Sequence, residues 1–215
     1  MAFEIVNIKI EEYAESNTSL ESEVLKELNR QTHLKVLKPR MLSGHLQGRV
    51  LSMLSKMIQP KRILEIGTYT GYSALCLAEG LQEKGKLITI DKNYELEGIV
   101  RKYFQKANFE DKIDYIIGDA IEIIPQLEND FDLVFIDADK SNYINYYNML
   151  ISGMKSGSYI IADNVLWSGK VTEKAKKDDK DTLILQEFNK MIQNDERVEN
   201  VLLPIRDGLM ILRKK

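Results

Sequence analysis

Two acidic stretches carry the residue types needed for metal-assisted chemistry. Each closes a short apolar run: Phe135-Ile136 leads into Asp137-Ala138-Asp139-Lys140, and Ala162 leads into Asp163-Asn164. If those runs are neighbouring strands, Asp137, Asp163 and Asn164 meet at adjacent strand ends and offer three hard oxygen donors with no histidine or cysteine among them. Such a set suits Mg²⁺, or a related divalent ion such as Mn²⁺ or Ca²⁺, and leaves coordination positions open for substrate and water. Lys140 follows Asp137 by three residues at the start of an expected helix, within reach of a hydroxyl on that ion. One aspartate at such a place is as easily a helix cap; two acidic clusters and a lysine together are harder to read that way.

A second constellation could hold a nucleoside. Glu65-Ile66-Gly67-Thr68-Tyr69-Thr70-Gly71-Tyr72-Ser73 reads as strand end, glycine turn and helix start, a form that brings backbone N–H groups close to a ligand. The spacing is E-x-G-x-x-x-G, not the G-x-G-x-x-G of a diphosphate site. An acid just before the turn disfavours phosphate and favours a cationic or amino-bearing ligand. Asp91, at the end of the next apolar run, can accept hydrogen bonds from both hydroxyls of a ribose. Gly118-Asp119-Ala120, after the third, sets another acid beside a base pocket, although Asp119 is equally read as a helix N-cap. Acids after three consecutive strands, with no phosphate loop, suit a nucleoside bearing positive charge, and S-adenosylmethionine has that chemistry.

These residues need a parallel sheet to bring them together. Short β-branched runs at 62–66, 86–90, 112–117, 132–136 and 158–162 predict strands, and amphipathic stretches predict helices at 71–83, 94–108, 120–127 and 143–154. That alternation argues for an α/β fold with helices on both faces of the sheet. A helix at 182–193 precedes runs at 198–203 and 209–213, joined by 204–208, which predict a terminal hairpin. Upstream, Thr18 and Glu21 form a capping-box pattern for a helix at 19–30, and Ser43 is placed to cap a second helix ending before Pro60. The apolar face of that second helix is expected to be Leu46, Val50, Leu51, Leu54, Met57 and Ile58, with Met53 and Met57 as core filler. Residues 1–215 thus read as one domain, with 1–60 a helical cover and 61–215 a Rossmann-like core.

Composition narrows the class. With 215 residues and 44% apolar content the chain can bury a substantial core. The 30 basic and 33 acidic residues leave a net charge of −3, which gives no help to a nucleic-acid partner. The one cysteine, Cys76, admits no intrachain disulfide and no cysteine-based zinc site, as expected of a cytoplasmic protein. Residues 1–15 interleave apolar residues with acids, unlike a secretory leader, and no apolar run is long enough to span a membrane. His33 and His45 read as surface or helix-packing residues, Cys76 as a small buried hydrophobe, and Tyr146 and Tyr147 as core or interface. The lysine- and acid-rich stretch 170–181 reads as a solvated loop or, alternatively, as the lining of a substrate entrance.

Residues 64–73, Asp137-Ala138-Asp139-Lys140-Ser141-Asn142-Tyr143 and Asp163-Asn164-Val165-Leu166-Trp167-Ser168-Gly169 resemble the bacterial metal-dependent members of the catechol and caffeoyl-CoA O-methyltransferase family. The similarity runs from about residue 36 to the end and includes Pro39-Arg40-Met41-Leu42-Ser43 and Leu203-Pro204-Ile205-Arg206-Asp207-Gly208. It implies a class I S-adenosylmethionine-dependent methyltransferase fold, with a seven-stranded mostly parallel sheet, a C-terminal antiparallel hairpin and N-terminal helices. It implies that Asp137, Asp163 and Asn164 hold the divalent ion and that Lys140 is the base. Met41, Leu42, Glu65, Gly67, Tyr69, Ser73, Asp91, Asp119, Ala120 and Asp137 would surround the methyl donor, and Lys140 and Trp167 would meet the substrate, with Trp167 packing on its ring.

The expected reaction is methyl transfer to one hydroxyl of a vicinal aromatic diol such as a catechol or a caffeic-acid-like compound, by a homodimer. The short, charged segment after Gly169 differs from the longer plant loop that grips coenzyme A, which argues against a thioester-linked substrate. Two alternatives accompany this reading: a transfer-RNA 5-hydroxyuridine O-methyltransferase, and a nucleoside-binding module without turnover.

Overall fold

The computed structural model describes residues 7–215. Three helices, α1 (Ile8–Ser16), α2 (Glu23–Lys35) and α3 (Gly44–Ile58), precede a seven-stranded sheet. The core then runs β1 (Arg62–Ile66), α4 (Tyr72–Ala78), β2 (Lys86–Asp91), α5 (Glu97–Lys106), β3 (Ile113–Ile117), α6 (Ala120–Ile123), β4 (Leu133–Ile136), α7 (Tyr143–Ile151) and β5 (Tyr159–Ala162). Helix α8 (Lys180–Gln193) and the strands β6 (Val198–Leu203) and β7 (Leu209–Lys214) complete it. Strand order is β3-β2-β1-β4-β5-β7-β6, with β1 to β5 parallel and β7 antiparallel to both β5 and β6. The order reverses between β1 and β4, and ligands gather at the carboxyl ends of the strands at such a switch.

Alternation along each strand feeds two apolar layers. Leu64, Ile66, Val134, Ile136 and Ile160 pack toward α7 and α8, while Ile63, Leu133, Phe135 and Ile161 pack toward α4 and α5. Tyr146 and Tyr147 are buried in the first of these layers, so both are core residues. Cys76 is fully buried in the second. His33 is exposed and bonded to the Asn29 carbonyl, and His45 Nε2 lies 2.8 Å from the Ser19 carbonyl. Among the described residues no helix is long and apolar enough to cross a membrane.

The helical cover departs from expectation in two ways. The Thr18–Glu21 pattern does not open a helix: Thr18 Oγ1 donates to the Ala14 carbonyl and closes α1, while Ser22 accepts the Leu25 N–H and starts α2 four residues late. Glu21 is drawn instead to the Tyr72 hydroxyl on α4. Helix α3 has the expected span, but Ser43 makes no side-chain cap and the buried face is rotated. Gln47, Gly48, Leu51, Ser52 and Ser55 face inward, whereas Met53 and Met57 are 60% and 74% exposed. Small residues are required there because α3 packs closely on α4. A Cβ on Gly48 would lie 2.6 Å from the Tyr72 ring, and Ser55 Oγ donates to the Leu77 carbonyl at 2.6 Å.

Candidate active site

Register builds the site. Ile66 pairs with both Ile90 and Ile136, and Ile136 pairs with Ala162, so the residues that follow emerge at one level. The ladder continues one step beyond the strands: Gly67 N–H donates to the Ile90 carbonyl at 2.9 Å, Asp137 N–H to Ile66 at 2.8 Å and Asp163 N–H to Ile136 at 2.9 Å. Gly67 adopts φ +102°, and a Cβ there would stand 2.1 Å from the Asp137 carbonyl oxygen. Only glycine lets the first turn approach the fourth strand end so closely.

A cavity of about 1290 Å³ opens over these strand ends. It exceeds the roughly 300–1,000 Å³ typical of a single small-molecule site, which leaves space for a donor and an acceptor together. Met41, Leu42, Gly67, Tyr69, Asp91, Asp119, Ala120, Asp137, Lys140, Asp163, Asn164 and Trp167 all border it, so the structure brings together most of the residues singled out from the sequence.

Two expected donor contacts, Glu65 and Ser73, do not border this cavity. Glu65 is one residue short of the strand end, and the two-residue period turns it toward α4, where it is fully buried. It accepts from Ser73 Oγ at 2.6 Å and Thr89 Oγ1 at 2.5 Å, and burial pushes its carboxyl up to about 8. Ser73 instead lines a small side recess with Gly67, Tyr69 and Met41. The pair braces the turn from beneath.

At the end beyond β1 and β2, Asp91 accepts Tyr69 N–H on Oδ2 at 2.7 Å and Asn93 N–H on Oδ1 at 2.9 Å. Both oxygens are thereby fixed, each with a lone pair to spare. Asp119 accepts the Ile121 N–H at 2.9 Å, so it is the N-cap of α6 as well as a wall of the cavity.

The other end is acidic and partly desolvated. Burial first, and then the charge of Asp163, push the Asp137 carboxyl up to about 7, and burial raises Asp163 as well. Lys140, 8% exposed, lies 3.4 Å from Asp137 Oδ1 and donates to the Tyr143 hydroxyl at 2.6 Å. That hydroxyl is 3.0 Å from the Asp163 carbonyl and 3.2 Å from that of Ile136. Lys140 Nζ is also 5.9 Å from the centre of the Trp167 ring system, so the amine and the indole share one chamber. Asn164, Trp167 and Ser168 all take left-handed backbone conformations, which fold the chain tightly after β5. The 170–181 stretch borders the cavity only through Lys170 and Asp181, and Lys170 pairs with Asp179 at 3.2 Å.

Among the described residues no three His, Cys, Asp or Glu side chains are grouped to hold a metal. The Asp137, Asp163 and Asn164 set has two carboxylates and one amide. It nevertheless fits a hard cation: burial opposes the ionisation of both carboxylates, the charge of Asp163 raises Asp137 further, and a divalent charge would relieve both effects.

Several site residues escape the sequence reading. Arg206 Nη1 donates to the Leu42 carbonyl at 2.8 Å and also to that of Ser43, pinning the start of α3 to the β6–β7 turn. Asp207 accepts Leu166 N–H at its carbonyl, 2.9 Å away, and Ser168 N–H at its carboxylate. Gln47 Nε2 donates to Asp163 Oδ2 at 2.6 Å, and Tyr143 holds Lys140. The Arg206-Asp207-Gly208 turn is visible as part of a motif; Gln47 gives only the faint signal of a polar residue one helical turn before Leu51.

Fold and site define a class I S-adenosylmethionine-dependent methyltransferase. Its structure is similar to that of the SAH-bound methyltransferase PaMTH1 of Podospora anserina, with TM-score 0.88, 28% identity, and 97% of this chain and 94% of that one covered. The O-methyltransferase from Bacillus cereus in complex with SAH superposes with TM-score 0.85 at 28% identity, covering 96% and 97%. Residues 14–215 match the O-methyltransferase family, and the chain belongs to it. Caffeoyl-CoA O-methyltransferase of Populus kitakamiensis is 38% identical over 205 residues, covering 90% of this chain and 87% of that protein. Caffeoyl-CoA O-methyltransferase 1 of Eucalyptus globulus is 39% identical over 180 residues, covering 78% and 72%.

Proposed function

We propose that this O-methyltransferase depends on a divalent cation and methylates one hydroxyl of a vicinal aromatic diol, with free catechols and caffeic-acid-like compounds as its acceptors. The observation that supports this best is the convergence of Lys140, Asp137, Asp163 and Asn164 in the same cavity as Gly67, Asp91 and Asp119. Asp137, Asp163 and Asn164 would hold Mg²⁺ or another oxygen-seeking ion such as Mn²⁺ or Ca²⁺. When bound, that ion supplies Lewis-acid polarisation of two adjacent acceptor oxygens.

The chain's own residues do the rest. Lys140, aimed by Tyr143, removes the proton of the reacting hydroxyl. Trp167 gives the ring a flat wall, and Asp91 holds the ribose hydroxyls of the donor. Gly67 lets the donor lie close to Asp137, and Asp119 and Ala120 flank its base. The sulfonium is already an activated leaving group, so what the site adds is alignment of oxygen, methyl and sulfur.

The curated relatives are named for a coenzyme A thioester, so the acceptor needs a direct test. Tritiated methyl donor should be offered in parallel to free catechols, caffeic acid, caffeoyl-CoA and hydroxyuridine-containing transfer RNA. Methylation of free catechol that disappears with excess EDTA and in Asp163→Ala is expected. Transfer only to the thioester or only to RNA overturns the acceptor class, and full activity in EDTA overturns the cation. We further infer a homodimer in the cytoplasm, since Met53 and Met57 leave apolar surface on α3 and the lone cysteine, Cys76, admits no intrachain disulfide. Sedimentation equilibrium tests the assembly.

A further inference from the structure

We infer that Gln47, on the helical cover, is a positioning residue for the cation site: its side-chain amide orients the carboxylate of Asp163. The inference rests on the cation reading above and goes beyond it, because it makes the cover part of the site and not merely a lid.

Gln47 is 2% exposed and Asp163 3%, and the 2.6 Å bond between Nε2 and Oδ2 joins residues far apart in the chain. Asp163 Oδ1 accepts the N–H of Asn164 at 2.7 Å. Each carboxylate oxygen therefore has one fixed donor and keeps a lone pair for a cation. Two donors on opposite oxygens prevent rotation of the carboxylate about its Cβ–Cγ bond, and a ligand that cannot turn away loses less freedom when it binds.

Packing alone does not call for an amide here. The same inward face of α3 carries Gly48 and Leu51, and an apolar side chain of similar length would fill the space without burying a polar group. Among the described residues Asp163 is the sole hydrogen-bond partner of the Gln47 side chain, which also borders the cavity. Its placement is fixed from outside α3 as well, because Arg206 holds the carbonyls of Leu42 and Ser43 at the helix start.

The test is Mn²⁺ binding to the full-length, metal-free protein, read from the free-ion EPR signal, for wild type, Gln47→Met and Gln47→Asn. Methionine keeps the volume and removes the donor; asparagine keeps the amide but withdraws it by one methylene. Both variants are expected to bind Mn²⁺ about 10- to 100-fold more weakly, the scale of losing a partner that orients a metal ligand. S-adenosylmethionine affinity, measured by calorimetry without metal, should not change. The Mn²⁺ concentration for half-maximal activity should rise by the same factor as the dissociation constant. Unchanged Mn²⁺ affinity in either folded variant overturns the role of Gln47 alone. Wild-type protein that takes up no Mn²⁺ overturns the cation reading, and this inference with it.

Discussion

Lys140 Nζ and the Tyr143 hydroxyl are 2.6 Å apart in the buried floor of the site, and the same hydroxyl reaches the backbone carbonyls of Asp163 and Ile136. Two strand ends thus determine where the amine points. Lys140→Met is expected to lower kcat by about two to four orders of magnitude while donor affinity stays within a factor of about two. Tyr143→Phe leaves the amine in place but unaimed and should cost kcat roughly tenfold, with about 1 kcal/mol of stability for the lost hydrogen bond. Steady-state kinetics beside donor calorimetry separate the two effects. A Lys140→Met enzyme with near-normal kcat would show that the proton leaves by another route.

The pairing of Asp137 with Asp163 gives a pH dependence. Asp137 titrates near 7 in the folded chain against an ordinary value of 3.8, because burial and its neighbour's charge oppose ionisation. The folded state therefore holds a proton that the unfolded state has released, and this contribution to metal-free stability falls as pH rises from 3.8 to about 7. A divalent cation needs the ionised form and compensates for that repulsion. The rise in Tm on adding saturating Mg²⁺ should accordingly be larger at pH 8 than at pH 6. Equal shifts at both pH values, measured by scanning fluorimetry, would sink the assignment of Asp137 as a ligand.

Asp91 is held by two backbone N–H groups before any donor arrives, so its carboxylate is preorganised. Asp91→Ala should weaken S-adenosylmethionine binding by about 1 to 3 kcal/mol, the scale of losing hydrogen bonds to a charged group. Calorimetry that finds unchanged affinity would place the ribose elsewhere.

Legibility in the sequence follows the range of the forces involved. The runs for β1 and β6 are legible to the residue because each follows a basic residue and stops at a strand-breaking one, Gly67 or Pro204. Asp137, Asp163 and Asn164 can be placed together since parallel register puts successive strand ends at one level. Glu65 misleads for a local reason: it stands next to the turn in sequence, yet strand alternation points it to Ser73 and Thr89 beneath the sheet edge. Gln47 and the buried face of α3 are hidden for the opposite reason. That face is lined by Gln, Gly and Ser because α4 comes close, whereas an apolar stripe signals burial only when packing is made by large side chains. The Thr18–Glu21 pattern fails because Glu21 and Thr18 each find a better partner, one of them in a helix distant in sequence.

Trp167 and the charged stretch beyond it provide the test of acceptor size. The indole is half-buried beside Lys140, and a ring held at the strand ends would lie against it. Trp167→Ala should raise KM for a free catechol more than it lowers kcat, because stacking is present in the ground state and the transition state alike. Lys174, Lys176 and Lys177 do not border the cavity, unlike Lys170. Neutralising those three lysines together should therefore leave catechol kinetics within about twofold. If the true acceptor is RNA, the same triple substitution should reduce both activity and its salt sensitivity, since each phosphate no longer neutralised lowers the salt slope by about one. A triple variant that loses catechol turnover would mean that the 173–179 segment closes over the small substrate, and the separation drawn between chamber and charged loop would be wrong.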